Sequence, residues 1–392
     1  MIYISVILLC VIFVYIFDIR KAEKYRKEAY FFLFCLSVLI AGCRYYVGGD
    51  TIRYMRYFES YPLIQDFFKS VSIEHFNPLW LLLSSIVKTI YNNFIFFQFI
   101  HAIIFNGIIF YFFKKNTTYI FSACLVYYIF FFLYYNTEIL RESLSVCLFL
   151  LSIPFYEKKK WWKYYVMCTI ALLFHTSSII LYLLPVFRNV TFSFVNIVLS
   201  IIITFFFSVI FINLMNCISG DFQLIIKFEQ YRGAGMNLVG TFLQLLKYLF
   251  FPLLIIVLNN RVNGKKIAQF QSFYMAYIFV SSLNIINTMV GERLLNYFYF
   301  IVTVYYVNFL FELKKIYPLM LVRFFFILIP LLSPLLFYME DTSYILSNTR
   351  NYFRWWPYTD IFHANDIEQK AIVTDREYYV DEHMYYQYLK QE

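Results

Sequence analysis

This 392-residue chain has no CxxC spacing, no internal repeat and no low-complexity tract. Those absences argue against a disulfide framework, a zinc site and a repeat architecture. The seven cysteines (Cys10, Cys35, Cys43, Cys124, Cys147, Cys168 and Cys217) fall in or beside apolar segments. Charge is scarce too: Asp, Glu, Lys and Arg make up 15% of the residues, against 61% hydrophobic. With a mean hydropathy of +0.64, that balance excludes a water-soluble fold.

What is present is apolar sequence along nearly the whole length, with 49 Phe and 38 Tyr. A spanning helix needs about 20 apolar residues. Candidate spans fall at 1–17, 29–43, 94–113, 119–135, 139–156, 193–215, 241–258, 267–290, 294–312 and 316–339, while 78–92 and 161–187 fit either short helices or re-entrant pairs. The expected fold is all-α, a polytopic transmembrane bundle of about 10–13 helices. Segment 1–17 has no charged region before it and no small-residue cleavage site after it, so it reads as a first transmembrane helix and not as a removed signal peptide.

The net charge of +9 could indicate nucleic acid, but the basic residues sit mainly in short linkers, where topology accounts for them. No nucleic acid partner is expected. Lys and Arg are retained on the cytoplasmic side. Placing 20–27, Lys114 with Lys115, 157–163, 261–266 and Lys314 with Lys315 inside sends 44–77, 136–138, 219–240, 291–293 and the tail outside. Residues 1–339 then form the membrane domain, with outer loops at 44–77 and 219–240, and 340–392 form a polar, extracytoplasmic tail. Segment 44–77 is too polar to span and is expected at the interface.

Charged groups at membrane depth are costly and so mark sites. Arg44 ends an apolar helix ahead of Gly48, Gly49 and Asp50, where backbone amides and the guanidinium could converge on an anion, or where a snorkelling Arg meets a tight turn. Arg141 and Glu142 sit just inside an apolar helix. Arg141 could pair with Glu138, three residues away, or hold a phosphate through its planar fork. His175 lies within a long apolar run and suits either a bond across to another helix or proton transfer. Arg232 is flanked by glycines, which fits a mobile anion-binding loop or a plain turn. Arg293 and Tyr297, four apart, should share a helix face, either as a site or as an interfacial anchor. One topology sends Arg44, Arg141, Arg232 and Arg293 outward against the charge rule, with His175 near them, and that points to an anionic ligand at the outer leaflet.

At these positions the chain resembles the EpsG-like family of exopolysaccharide polymerases, related in role to Wzy-type O-antigen polymerases. Arg44-Tyr-Tyr-Val-Gly-Gly-Asp50 is similar to the family's Arg-Tyr-x-(x)-Gly-x-Asp element, Leu140-Arg-Glu-Ser-Leu144 to its Leu-Arg-Gln-x-Leu, and Phe174-His-Thr-Ser-Ser178 to its Phe-His-x-Ser. Glu142 departs from the more familiar Gln, and the polar tail is long. The resemblance implies a GT-C-like membrane glycosyltransferase at the outer face of the bacterial cytoplasmic membrane, needing no metal or other cofactor. It would move a growing glycan from its polyprenyl-diphosphate carrier onto a lipid-linked repeat unit, alongside membrane lipid, a flippase and a chain-length regulator. On that reading His175 would deprotonate the acceptor hydroxyl or contact the diphosphate, Asp50 is a second base candidate, and Arg44, Arg141 and Arg293 are the diphosphate ligands. Arg232, Tyr297 and Glu142 are the substrate-binding candidates. A glycan ligase shares the chemistry. A flippase or transporter would favour symmetric halves with interrupted helices, which the sequence lacks.

Overall fold

The computed structural model describes residues 2–70, 77–188, 270–286, 288–313 and 354–389, with isolated positions at 199, 202, 203, 206 and 253. The expected helices at 193–215, 241–258 and 316–339, loop 219–240 and the basic linkers at 261–266 and 314–315 lie outside the described residues. Among those described, every extended element is helical. A single isolated β-bridge pairs Arg44 with Asp360. The helices are α1 (Ile2–Phe13), α2 (Arg26–Gly42), α3 (Thr51–Ser60), α4 (Phe67–Ser70), α5 (Pro78–Ile90), α6 (Phe94–Asn116), α7 (Ile120–Phe130), α8 (Phe132–Thr137), α9 (Leu140–Glu157), α10 (Trp161–Phe174), α11 (Leu184–Phe187), α12 (Gln271–Ile286), α13 (Thr288–Leu295), α14 (Tyr299–Leu313) and α15 (Ile367–Leu389). The chain divides into one unit of residues 1–176 with 334–392 and a second of 177–333.

Within the first unit the helices run between two chemically different ends. One is a basic end. A π-helical turn, Val14–Ile19, follows α1 and brings Asp18 beneath the start of α7, where its Oδ2 accepts from the Ser122 amide (2.7 Å) and hydroxyl (2.8 Å). Asp18 thereby caps orphan donors of another helix, and Arg26 pairs with it at 3.6 Å. Lys114 and Lys115 end α6, and Lys158, Lys159 and Lys160 link α9 to α10, at this same end. The opposite end gathers the C-termini of α2, α8 and α10, the N-termini of α6 and α9, and the 44–50 turn.

Aromatic packing and a close glycine contact hold the unit together. Phe17 stacks on Phe121 at 4.8 Å, and the Tyr30 hydroxyl donates to the Phe110 carbonyl at 2.7 Å, joining α2 to α6. A Cβ on Gly42 would overlap the Phe99 ring and lie 3.2 Å from Phe99 Cα, so the missing side chain sets the spacing of α2 and α6. Polar groups inside α6 are matched across the bundle. Asn106 donates to Asn136 (2.9 Å) and accepts from Tyr127 (2.7 Å), as membrane helices require of buried amides. In the second unit Tyr274 donates to Tyr306 at 3.1 Å, tying α12 to α14.

Among the described residues, two helices are long and apolar enough to span a bilayer unaided, Ile2–Ile19 and Phe94–Asn116. At 1.5 Å per residue α6 reaches about 35 Å. The expected span 119–135 is broken at Phe131 (φ −125°), giving α7 and α8. Region 78–92 forms one helix, α5. Region 161–187 forms short helices: α10 stops at an extended His175, and the chain continues as the 3-10 run Thr176–Leu183 and then α11. Segment 44–77 contains amphipathic α3, which buries Ile52, Tyr54 and Phe58.

Replacing Gly42 by Ala should lower the unfolding midpoint in detergent, at a cost of about 1–3 kcal/mol for overpacking. An unchanged midpoint would contradict the close packing of α2 on α6.

Candidate functional site

The site is built on the 44–50 turn, which follows directly from α2. Gly48 has φ 109°, and a Cβ there would lie 2.5 Å from Thr137 Cβ, so both backbone shape and space demand glycine. Tyr46 also adopts a left-handed φ, 56°, which costs a non-glycine residue about 1–2 kcal/mol. The turn's amides do bind a carboxylate, but it belongs to the chain. Glu138 Oε1 accepts from Gly49 N (2.7 Å) and Oε2 from Asp50 N (3.1 Å). This corrects the expectation of an open anion nest at Gly48 and Gly49. Of the two alternatives for Arg141, the pairing with Glu138 is not the one adopted, because Glu138 faces Arg354 at 3.8 Å.

Arg141 turns to α3, its guanidinium carbon lying 5.8 Å from the Tyr54 ring centroid. The α9–α10 hairpin then brings a second candidate close. Ser145 Oγ donates to the Ala171 carbonyl at 2.9 Å. One turn back along α9 is Arg141, and one turn on along antiparallel α10 is His175, so the register sets these two residues opposite each other. His175 is 9% exposed and caps α10 in extended geometry. Asp50 is at the N-cap position of α3 without capping it through its side chain. Its half-exposed carboxylate lies 3.6 Å from Arg53. Glu142 is buried, 2% exposed.

Arg44 is 2% exposed. Its Nη1 donates to the Ala41 carbonyl, while Nε and Nη2 meet no hydrogen-bond partner among the described residues. Burial prevents this side chain, in the described conformation, from touching a ligand bound at the surface. Beside it, α6 contributes two residues that the sequence reading passed over. Gln98 Nε2 donates to the carbonyls of Gly42 and Arg44 (both 2.9 Å), and His101 Nε2 contacts the Leu140 carbonyl (3.0 Å) and Ser143 Oγ (2.9 Å). Their signal was available as two polar residues three apart inside an apolar span.

The polar tail is the largest addition to the sequence reading. Arg354 O accepts from Gly48 N (2.8 Å), Thr359 O from Tyr45 N (2.9 Å), and Ile361 N donates to Cys43 O (3.1 Å). Trp355 Nε1 donates to Thr137 Oγ1 (2.8 Å) and Tyr358 to the Ile40 carbonyl (3.0 Å). On α15, Arg376 is 2% exposed and donates to the carbonyls of Tyr46 (3.1 Å) and Pro357 (2.8 Å) and to Thr359 Oγ1 (2.8 Å).

Arg293 and Tyr297 belong to the second unit and do not share a helix face. The helix ends at Leu295, leaving Arg293 exposed and Tyr297 fully buried, with its hydroxyl 3.0 Å from Ser177 Oγ. Arg232 lies outside the described residues. Among those described, no group of three His, Cys, Asp or Glu side chains is placed to hold a metal.

Long apolar helices, with polar side chains turned inward and charge gathered at their ends, define a helical membrane protein with a polar site at one end of its first unit. The family model described as the EpsG family matches residues 27–359, and the chain belongs to that family. Membership carries a role in polysaccharide biosynthesis of a polymerase-related, glycosyltransferase-like kind. No curated protein and no solved structure matches the chain.

Burial, then the neighbouring Asp50 carboxylate, pushes the Glu138 carboxyl up to about 7, against the opposing pull of Arg354, the Gly49 amide and the Thr137 hydroxyl. The folded value lies above the ordinary one of 4.5, so folding favours the protonated form. Stability from this group is full below that value and is lost as pH rises through about 7. Unfolding midpoints measured from pH 5 to 8 should therefore fall more steeply for the wild type than for Glu138→Gln. Parallel curves would refute the raised value.

Proposed function

We propose that the protein polymerises polyprenyl-diphosphate-linked oligosaccharide repeat units, as a multi-pass, GT-C-like glycosyltransferase of the bacterial cytoplasmic membrane whose site faces outward. The observation that carries this reading is the division of charge within the first unit. Lysine-rich linkers occupy one end, and the opposite end, poor in lysine, holds Arg44, Arg141, Arg354 and His175. With the lysine-rich end inside, the arginines face the outer leaflet, where a lipid-linked diphosphate would present its charge.

In the proposed reaction an acceptor sugar hydroxyl on a newly flipped repeat unit attacks the anomeric carbon of the growing glycan. The bond from that carbon to the diphosphate oxygen breaks, and the polyprenyl diphosphate departs with the bonding electrons. His175 or Asp50 takes the hydroxyl proton. Arg141, joined by Arg354, stabilises the leaving diphosphate in the place a metal ion could fill, and this is the main catalytic contribution. Arg44, being buried, contributes its field and the shape of the turn. Arg293 and Arg232 are assigned to charge on the diphosphate or glycan side. Tyr297 and Glu142, both buried, would hold neighbouring elements. A flippase that supplies the acceptor and a chain-length regulator are the expected partners.

Deleting the gene should abolish long chains and leave single repeat units on their acceptor. Accumulation of unflipped intermediate would support a flippase instead, and long lipid-linked chains left untransferred would support a ligase. In the complemented strain, Arg141→Lys should cut polymer at least about 10-fold and His175→Ala about 100-fold or more. Normal chain length in both variants would remove this site.

A further inference from the structure

The tail's contacts converge on the element that carries the candidate chemistry. Segment 354–361 lies along residues 43–48 through three backbone hydrogen bonds, from Gly48 N, Tyr45 N and Ile361 N. Trp355 reaches Thr137, the residue before Glu138. One side chain of α15 then locks the layer. Arg376 spans Tyr46 O on the turn and both Pro357 O and Thr359 Oγ1 on the segment, and Thr359 Oγ1 in turn donates to the Tyr45 carbonyl. The planar guanidinium suits this, since two of its nitrogens can address two strands of backbone at once. Arg56 on α3 pairs with Asp381 at 2.6 Å, fixing α15 a second time on the far side of the turn. Val373 and Val380 are buried with Arg376 on the same face of α15.

We propose that Arg376 is a positioning residue for the outer site: through the C-terminal segment it holds the 44–50 turn, and with it Asp50 and the Glu138 clasp, in the geometry that catalysis uses. Arg376 lies past residue 359, where the family match ends, so α15 supplies this chain with a support the family pattern does not describe. Arg376 touches no reacting group and acts only through the turn. The catalytic consequence rests on the polymerase reading, while the mechanical one does not.

The test has two arms. In the first, hydrogen exchange is followed on the purified full-length protein in detergent. Arg376→Ala should raise exchange at the amides of Tyr45, Gly48, Gly49 and Asp50 at least about 10-fold, with the α9–α10 hairpin unchanged, because losing an anchor opens structure locally. Thr359→Val, which removes the hydroxyl bridge with little change of shape, should act in the same direction and serves as the variant should Arg376→Ala fail to fold. In the second arm, the deletion strain carries each variant, and polymer made from the cell's own repeat units is normalised to protein in the membrane. Arg376→Ala should reduce it about 10- to 100-fold, and Arg376→Lys, which keeps a donor at the site, should recover part of the loss.

Unchanged exchange in both variants would overturn the proposal. So would faster exchange at the turn with polymer at wild-type level, which would leave the polymerase reading intact. A deletion strain that still makes long chains would defeat the polymerase reading and leave the exchange arm to stand by itself.

Discussion

The arrangement depends on one buried carboxylate. Glu138 connects three parts of the chain that are far apart in sequence: the 44–50 turn through two backbone amides, the start of α9 through its own position, and the C-terminal segment through Arg354. Its net contribution to stability is small. Burying a carboxylate costs several kcal/mol, while hydrogen bonds to a charged group return roughly 1.5–3 kcal/mol each. Two amides therefore about offset the cost, and Arg354, 30% exposed, adds a partly screened attraction. What Glu138 secures is geometry. The amides of Gly49 and Asp50 share this one carboxylate, which fixes the orientation of the turn that carries Asp50.

The same constraint gives physical content to the motifs. In the first, Gly48 is required by its positive φ and by the approach of Thr137, and Asp50 supplies an amide to Glu138 while its side chain stays half exposed. In the second, Leu140 and Ser143 bear on His101 of α6, so that stretch is as much a packing joint as a site. Arg141 in the same stretch turns to the Tyr54 ring on α3. Lys88 shows how cations at this end can be consumed structurally: its ammonium donates to the carbonyls of Phe58, Glu59 and Tyr61 at 3.1, 2.7 and 2.7 Å, closing the C-terminus of α3. It is therefore not a lysine competing for an anionic ligand.

Much of this could be read from the sequence, for identifiable reasons. Helices at 29–43, 94–113 and 139–156 were found to within a few residues, because a membrane span needs a minimum length of apolar chain and short basic linkers delimit it. The role of Glu138 was not legible. Local spacing put Arg141 three residues away on one turn, but the chain leaves helical geometry between α8 and α9, and the competing partners, Gly49, Asp50 and Arg354, are 88 or more residues distant. Tyr297 failed in the same way, since four-residue spacing implies a shared face only if the helix continues past Leu295. The attachment of the polar tail was not legible, because it rests largely on backbone hydrogen bonds and on Arg376, neither of which leaves a hydropathic pattern.

That difference in attachment bears on how the site can work. A cap held by apolar packing would resist every displacement alike. One held by backbone hydrogen bonds in register with residues 43–48 is firm against sliding and easily peeled from its end, because each bond is lost singly and water can replace it. Arg376 and the pair of Arg56 with Asp381 stand at the α15 side of the layer, so they close that end. Arg354 and Glu138 stand at the other, where Arg354 is partly exposed and Glu138 is buried. An anionic substrate arriving there would meet Arg354 before the carboxylate behind it. Arg354 could then turn to the substrate while the Gly49 and Asp50 amides keep Glu138 satisfied, and the turn would hold its shape as the charge changes hands.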